Sequence, residues 1–325
     1  MIGRARRRLA HVLDRRFLAL HQRVEELATR VEDLARAAAT QDAELRNQVT
    51  HIAPALRSIA GNDAENTRLL RAITSRLDEE ITPALRVMAG SDTENRRLLD
   101  AARRDPEYEL AFEEPEPLVT VIVPTHRRPE LLSSRTLPSV LAQTYERLQL
   151  LVIGDATEDE TEAVVREVSD PRLTFVNLTR RYVYKDQHRH RLTASTLTRN
   201  EGYRLARGRW LFEVDDDDAV PLDAVEALLA DARGRKLEAV QGVIRQHEPD
   251  GQTTEIVTTP DTVRLAGGAL VHAHLRFFGR EHVASAFGVG GDVFRGERMV
   301  RAGVRIGLLD RVTYEYYPSL LWQSR

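Results

Sequence analysis

Four consecutive aspartates, Asp215, Asp216, Asp217 and Asp218, follow directly on the apolar run Trp210–Val214, in which Glu213 is the one polar interruption. Two carboxylates about 5 Å apart repel by roughly 3 kcal/mol at an effective dielectric near 20, so such a cluster needs a neutralising cation. Magnesium and manganese take one or two carboxylates and fill their remaining sites with water and substrate phosphates. The carboxyl ends of inner strands are also where open α/β sheets place ligands. The run therefore reads as a corner for a divalent ion and a phosphorylated substrate. The plainer alternative is a solvated acidic loop whose last aspartate caps the helix opened by Pro221 (Leu222, Val225, Leu228, Leu229). That alternative gives one aspartate a role and leaves three without.

The elements that must position this corner can be read from alternating apolar segments. Leu118–Val123, Leu148–Ile153 and Leu173–Val176 have strand character, and Trp210–Val214 is the strand that delivers the aspartates. Helical patterns fall between them over Glu130–Gln143, interrupted by Pro138, over Glu158–Val168 and over Thr196–Ala206. This succession predicts a largely parallel sheet with helices on both faces. Ala239–Arg245 and Thr254–Thr259 flank Asp250–Gly251 and predict a hairpin.

The first hundred residues have a different texture. After an arginine-rich start (Arg4, Arg6, Arg7, Arg8, Arg15, Arg16), Leu13, Phe17, Leu20, Val24, Leu27, Val31, Leu34 and Ala38 alternate steps of four and three. That narrow stripe predicts a coiled coil, hence a homo-oligomer, and the arginines offer a peripheral contact to anionic lipid. Ile52–Leu70 is then repeated as Ile81–Leu99, 29 residues on. Pro54 and Pro83 suit first helical turns, Gly61 and Gly90 suit helix ends, and Asn62 with Glu65 and Ser91 with Glu94 have capping-box spacing. Each unit reads as a short helix, a break and a longer helix, with a continuous rod as the competing picture. The domain reading is a helical coiled-coil and repeat region at 1–104, an acidic, proline-bearing linker at 105–117, and an α/β domain at 118–325.

Composition narrows the function classes. A net charge of −3 gives no overall basic field for nucleic acid, and the absence of cysteine excludes disulfides and thiolate metal sites. No apolar run approaches the length of a membrane-spanning helix, so the expectation is a cytoplasmic protein, peripheral at most. His272 with His274 and His188 with His190 have no third ligand at metal spacing, and read as strand or loop residues. Tyr314, Tyr316, Tyr317 and Trp322 can stack on a sugar or cover the sheet.

Four blocks carry a resemblance: VTVIVPTHRRPELL (Val119–Leu132), SVLAQTYERLQLLVIGDATEDET (Ser139–Thr161), TRNEGYRLARGRWLFEVDDDD (Thr198–Asp218) and GDVFRGERMVRAG (Gly291–Gly303). Together they resemble the family 2 glycosyltransferases of GT-A fold, which use nucleotide-sugar donors and invert the anomeric centre. The resemblance implies a Rossmann-like three-layer sandwich with a mainly parallel central sheet behind the helical region. It implies that Pro124 and Thr125 open the nucleotide pocket and that Asp155 contacts the nucleoside, with Arg199 and Asn200 near the donor. The Asp-x-Asp metal motif falls on Asp215 and Asp217: Asp217 would coordinate Mn2+ or Mg2+ on the diphosphate, with Asp215 assisting. The register leaves Asp216 and Asp218 open to the same roles. Asp292 matches the catalytic base, or serves as N-cap of a helix Val293–Ala302. Glu297 and Arg298 read as helix surface.

The chain departs from the family pattern in three places. Gly154–Asp155 stands where many relatives carry two acids, Gly291 replaces the usual glutamate, and no histidine follows His282. The acceptor implied is a glycan or glycolipid in cell-surface polysaccharide or glycoconjugate synthesis. Two rivals remain. One is a sugar-phosphate nucleotidyltransferase, against which PTHRRPE lacks the glycine-rich loop; the other is a non-catalytic helical scaffold with an enzyme-like core.

Overall fold

The computed structural model describes residues 82–183, 187–257, 267–287 and 289–318. The heptad stripe, the first repeat unit and the arginine-rich start lie outside them, as does Trp322. The chain divides between Arg86 and Val87, and Val87 onward forms one compact unit.

Four strands run parallel: β1 (Val119–Thr125), β2 (Leu148–Gly154), β3 (Leu173–Asn177) and β4 (Trp210–Glu213), in the spatial order β3-β2-β1-β4. Every residue of β1, β2 and β4 is buried. The alternation of side chains explains why these strands are apolar throughout. Val119, Val121 and Val123 enter the main core with Trp210 and Phe212, while Ile122 packs with Tyr203 and Leu211 in a separate cluster. Tyr203 belongs to a helix that lies so close over β1 that a Cβ on Gly202 would meet Ile122 Cγ2 at 2.4 Å.

The sheet is mixed rather than mainly parallel. β5 (Ala239–His247) and β6 (Thr253–Ile256) form the expected antiparallel hairpin, turning at Gly251 with φ +84°. The short strand β7 (Ala269–His272) inserts antiparallel between β4 and β5, and β8 (Ile306–Tyr316) runs parallel to β5. Four ladders are thus parallel and three antiparallel. β7 escaped prediction because ALVH is too short for a period to show.

The helices in chain order are α1 (Thr82–Arg103), α2 (Leu110–Glu113), α3 (Pro129–Leu131), α4 (Leu137–Leu141), α5 (Thr161–Glu167), α6 (Gln187–Thr193), α7 (Thr196–Leu205), α8 (Ala224–Gly234) and α9 (Gly291–Ala302). A π-helical turn, Leu132–Thr136, joins α3 to α4.

Two expectations are corrected. α1 runs unbroken through Gly90, so the second repeat unit has no internal break. A mid-helix glycine costs only about 1 kcal/mol, and tertiary contacts outweigh it. Glu94 pairs with Arg97 instead of closing a capping box, while Asp92 and Asn95 are buried against Arg301 and Arg298 of α9. The acidic stretch 105–117, read as a linker, is packed: Tyr108, Ala111 and Phe112 are buried in the main core, and Trp210 Nε1 donates to Ala111 O at 3.0 Å. Arg103 of α1 forks onto buried Glu238 at 2.7 and 2.8 Å, where Tyr108 also donates.

These contacts make α1 part of the packed unit. A truncation starting at Val87 is expected to keep the urea midpoint of the compact unit. One starting at Asp105 removes buried Leu99 and the Arg103 fork on Glu238 and should lose at least about 4 kcal/mol. Urea unfolding of the two truncations decides this.

Candidate active site

Glu213, the polar interruption in β4, is the centre of the site's framework. Its Oε2 accepts from Arg199 Nη1 and Arg280 Nη2, each at 2.7 Å, and its Oε1 from Arg295 Nη1 at 2.6 Å and Tyr203 Oη at 2.5 Å. All five side chains are buried. Burial alone would raise the Glu213 carboxyl, but the three guanidinium groups override it and hold the pKa far below the carboxylate range. The sequence signalled Glu213 as an anomaly but not its partners, which stand 14, 67 and 82 positions away.

The aspartates that follow divide into different environments. Asp215 pairs with Arg199 and is the most open of the four, its side chain 39% exposed. Asp216 and Asp217 share Arg128, whose Nη1 lies 3.0 Å from Asp216 Oδ1 and 2.5 Å from Asp217 Oδ2. Asp218 is fully buried, accepting from Tyr314 Oη and Tyr317 N, each at 2.8 Å. It therefore does not cap a helix, and both its oxygens are engaged with β8 and the residue that follows it. The backbone of the run is held from the π-turn: Arg135 Nη1 donates to Asp217 O at 2.6 Å, and Thr136 Oγ1 to Asp218 O at 2.8 Å. Burial raises the pKa of Asp216, Asp217 and Asp218, that of Asp217 to about 6 even beside Arg128.

The run adjoins the ends of β1 and β2. Pro124 and Thr125 end β1 in register with Ile153 and Gly154. Asp155 follows β2, nearly buried, and its Oδ2 accepts from Arg181 Nε at 2.8 Å. Burial raises the Asp155 pKa and Arg181 opposes the shift. Arg181 also donates to His126 Nε2 at 2.7 Å and to His190 Nε2 at 3.1 Å. Because Nε2 accepts, His126 carries its proton on Nδ1, which donates to Asp155 O at 3.1 Å. The His126 amide in turn donates to Asp216 Oδ2 at 3.2 Å. Neither Arg181 nor His126 was singled out by sequence, since a basic loop has no marker for its partner.

Asp292 lies in the first turn of α9, whose N-cap is Gly290, so the capping alternative does not hold. Its Oδ1 comes within 4.0 Å of Arg280 Nη1 and folds back over Gly290, where a Cβ would meet it at 2.4 Å. Arg280 is fixed through its backbone by Asn200, whose amide group accepts from Arg280 N at 2.8 Å and donates to Arg280 O at 2.9 Å. Arg199 and Asn200, expected near the donor, are thus both engaged with protein groups. Arg298 is buried against Asn95, Glu281 and Gly279 O rather than lying on the helix surface. Of the histidine pairs, buried His272 donates to Tyr108 O at 3.0 Å, its pKa lowered to about 4 by burial.

Two outcomes follow from these geometries. Glu213→Gln leaves three buried guanidinium groups short of a counter-ion and should lower unfolding free energy by about 3–5 kcal/mol. The raised Asp217 pKa means the folded chain holds a proton that the unfolded chain releases near 3.8, so its contribution to stability falls as pH rises from about 4 through 6. In metal-free buffer, Asp217→Asn should therefore gain roughly 1–3 kcal/mol over wild type between pH 4 and pH 7.5, read by urea unfolding at both.

Comparison with known proteins places this geometry. Among curated relatives, the succinoglycan biosynthesis protein ExoO of Rhizobium meliloti (strain 1021) is 32% identical over 123 residues, 37% of this chain and 32% of that protein. The UDP-Glc:alpha-D-GlcNAc-diphosphoundecaprenol beta-1,3-glucosyltransferase WfgD of Escherichia coli is 33% identical over 101 residues, 31% of this chain and 35% of that one. The matched stretch thus spans about a third of the length of each. Staphylococcus aureus TarS 1-349, solved in complex with UDP-GlcNAc, shares the fold with a TM-score of 0.50 at 18% identity, over 62% of this chain and 58% of that one. The model of glycosyl transferase family 2 matches residues 120–302, more than half of the sequence and every site residue named above except those on β8 and its end, and the chain belongs to that family.

Proposed function

We propose that this chain transfers a sugar from a nucleoside-diphosphate sugar to an acceptor hydroxyl, with inversion at the anomeric carbon. One observation carries the reading. Asp155, the aspartate run and Asp292, three acidic groups with different expected tasks, are tied by two chains of polar contacts that meet along the run. His126 joins Asp155 to Asp216, while Arg199, Glu213 and Arg280 join Asp215 to Asp292.

Asp155 suits a nucleoside, because a carboxylate accepts from base N–H groups and ribose hydroxyls. In the present arrangement Arg181 holds that acceptor. The donor diphosphate belongs at the aspartate run. Among the described residues, no three His, Cys, Asp or Glu side chains gather into a metal cage. A divalent ion that needs only one or two carboxylates nevertheless fits the donor set, because the side chain of Asp215 is 39% exposed and Asp217, two residues on in the same run, is 12% exposed. A manganese or magnesium ion there supplies Lewis-acid stabilisation of the charge on the departing diphosphate. Asp218, closed off by Tyr314 and Tyr317, supports the run rather than the ion.

Asp292 takes the proton of the acceptor hydroxyl as its oxygen bonds to the anomeric carbon and the bond to the diphosphate breaks. Its side chain is 30% exposed, open to an incoming alcohol. The succinoglycan assignment of one relative supports an acceptor in polysaccharide or glycoconjugate synthesis. No helix among the described residues is long and apolar enough to cross a membrane. Membrane contact and self-assembly through residues 1–81 stay part of this proposal.

Incubating the protein with UDP-, GDP- and dTDP-sugars, Mn2+ and glycan acceptors tests the reaction, with product anomers read by NMR. Retention at the anomeric carbon, or no transfer from any donor, would refute it. Asp292→Asn is expected to leave donor binding within about twofold while turnover falls by roughly 100- to 10,000-fold. Equal losses of binding and turnover would remove Asp292 as the base.

A further inference from the structure

We propose that Arg128 is a built-in counter-ion of the aspartate run, holding Asp216 and Asp217 when no divalent ion is bound and competing with that ion for Asp217. The inference rests on the metal reading of the run given above. The ion pairs of Asp216 and Asp217 are both with Arg128, through a single nitrogen that bridges the two carboxylates. Apart from the His126 amide, which donates to Asp216 Oδ2, the other residues that grip the run do so elsewhere. Arg135 and Thr136 reach main-chain oxygens, Arg199 pairs with Asp215, and Tyr314 and Tyr317 take Asp218. Arg128 is therefore the cation given to the two acids in the middle.

Arg128 and Arg199 differ in exposure. Arg199 is buried and tied to Ser195, Glu213 and Asp215, which fixes it in the framework. The Arg128 side chain is 21% exposed, against 8% and 12% for the acids it bridges. It therefore has solvent to swing into. The backbone before it is strained: Arg127 has φ +55°, a left-handed conformation that costs a non-glycine residue about 1 kcal/mol or more. That turn carries the chain from β1 into α3, which Pro129 opens directly after Arg128. A strained turn delivering one guanidinium onto two carboxylates is hard to explain as loop closure alone.

The two cations cannot both be held closely. A magnesium or manganese ion binds carboxylate oxygen at about 2.1 Å, and Asp217 Oδ2 already has Arg128 at 2.5 Å. Ion and guanidinium would then stand a few ångströms apart and repel strongly in this buried corner. Metal loading displaces Arg128, and the freed planar fork is suited to pyrophosphate oxygens. The run is thereby never left uncompensated, and the arginine is released where the diphosphate must lie.

Mn2+ alone is the probe, titrated into the full chain without nucleotide, with free ion read by electron paramagnetic resonance. Arg128→Gln and Arg128→Met remove the competing charge and should each bind Mn2+ about tenfold or more tightly than wild type. Arg128→Lys keeps the charge and should stay within about threefold. Circular dichroism confirms that each variant is folded. Unchanged or weaker Mn2+ binding in both uncharged variants overturns the competition. Asp217→Asn separates the two readings. If it abolishes Mn2+ binding while the Arg128 variants match wild type, the metal site stands and the role of Arg128 falls. If neither wild type nor the uncharged variants bind Mn2+, the metal reading itself fails and takes the proposal with it.

Discussion

A carboxylate sealed inside a sheet requires a counter-charge, and Glu213 answers with three guanidinium groups and a phenol. Desolvating one ion costs several kcal/mol, so a charge of this kind is tolerated only where geometry and hydrogen bonds are both satisfied. The ring meets that condition and in doing so fixes three separate parts of the chain. Arg199 pins α7, Arg280 pins the loop after Phe278, and Arg295 pins α9, whose guanidinium also lies 4.8 Å over the Tyr203 ring. Three positive charges around one negative charge leave an excess. Asp215 meets it through Arg199 and Asp292 approaches it through Arg280. Asp215 and Asp292, two acids with proposed roles at the site, are thus also part of how the fold balances its own interior charge.

The aspartate run is supported from the other side by main-chain bonds. The π-turn widens the helix after β1 by a residue, and its last two positions, Arg135 and Thr136, are the ones that hold carbonyls of Asp215, Asp217 and Asp218. β8 supplies Tyr314 and a backbone bridge from Glu315 to Ala219 just beyond the run. Arg135 also lies 3.9 Å over the Tyr317 ring, which stacks on His247 at 4.2 Å. Four identical side chains in a row therefore divide among three settings as the chain leaves β4: Asp215 meets Arg199, Asp216 and Asp217 share Arg128, and Asp218 is closed off by Tyr314.

Much of the frame was legible in the sequence because burial on both faces of a strand leaves a continuous apolar run. β1, β2, β3 and β4, and the helix α7 between the last two, fall within two residues of their expected limits. What stayed hidden depends on pairs distant in sequence. Arg298 looked like helix surface because arginine usually is surface. Its burial follows from Asn95 and Glu281, one of them 203 positions away. Tyr108 and Phe112 looked like linker residues because acidic and proline neighbours dominate the stretch. Yet two aromatics four apart are a helical contact, and they fill the space beside Trp210 and His272. Within the site, residue types were readable and their division of labour was not. Arg199 and Asn200 were placed beside the donor, but the structure turns both toward the framework that holds Asp215 and Arg280.

The departure at Gly291 has a physical consequence for that framework. A side chain at 291 would begin 3.5 Å from Arg280 Cδ and 3.9 Å from its Nη1. A glutamate there, the residue the family pattern leads one to expect, would bring a third carboxylate to the guanidinium that now serves Glu213 and faces Asp292. With glycine in its place, Arg280 has no further acid from the start of α9, and Asp292 is the carboxylate left to approach it. Arg280 is also held in place by Asn200, which clamps its backbone. The lost glutamate therefore does not leave Asp292, the proposed base, without a neighbouring cation, because the same buried arginine that ties Glu213 into the sheet stands 4.0 Å from it.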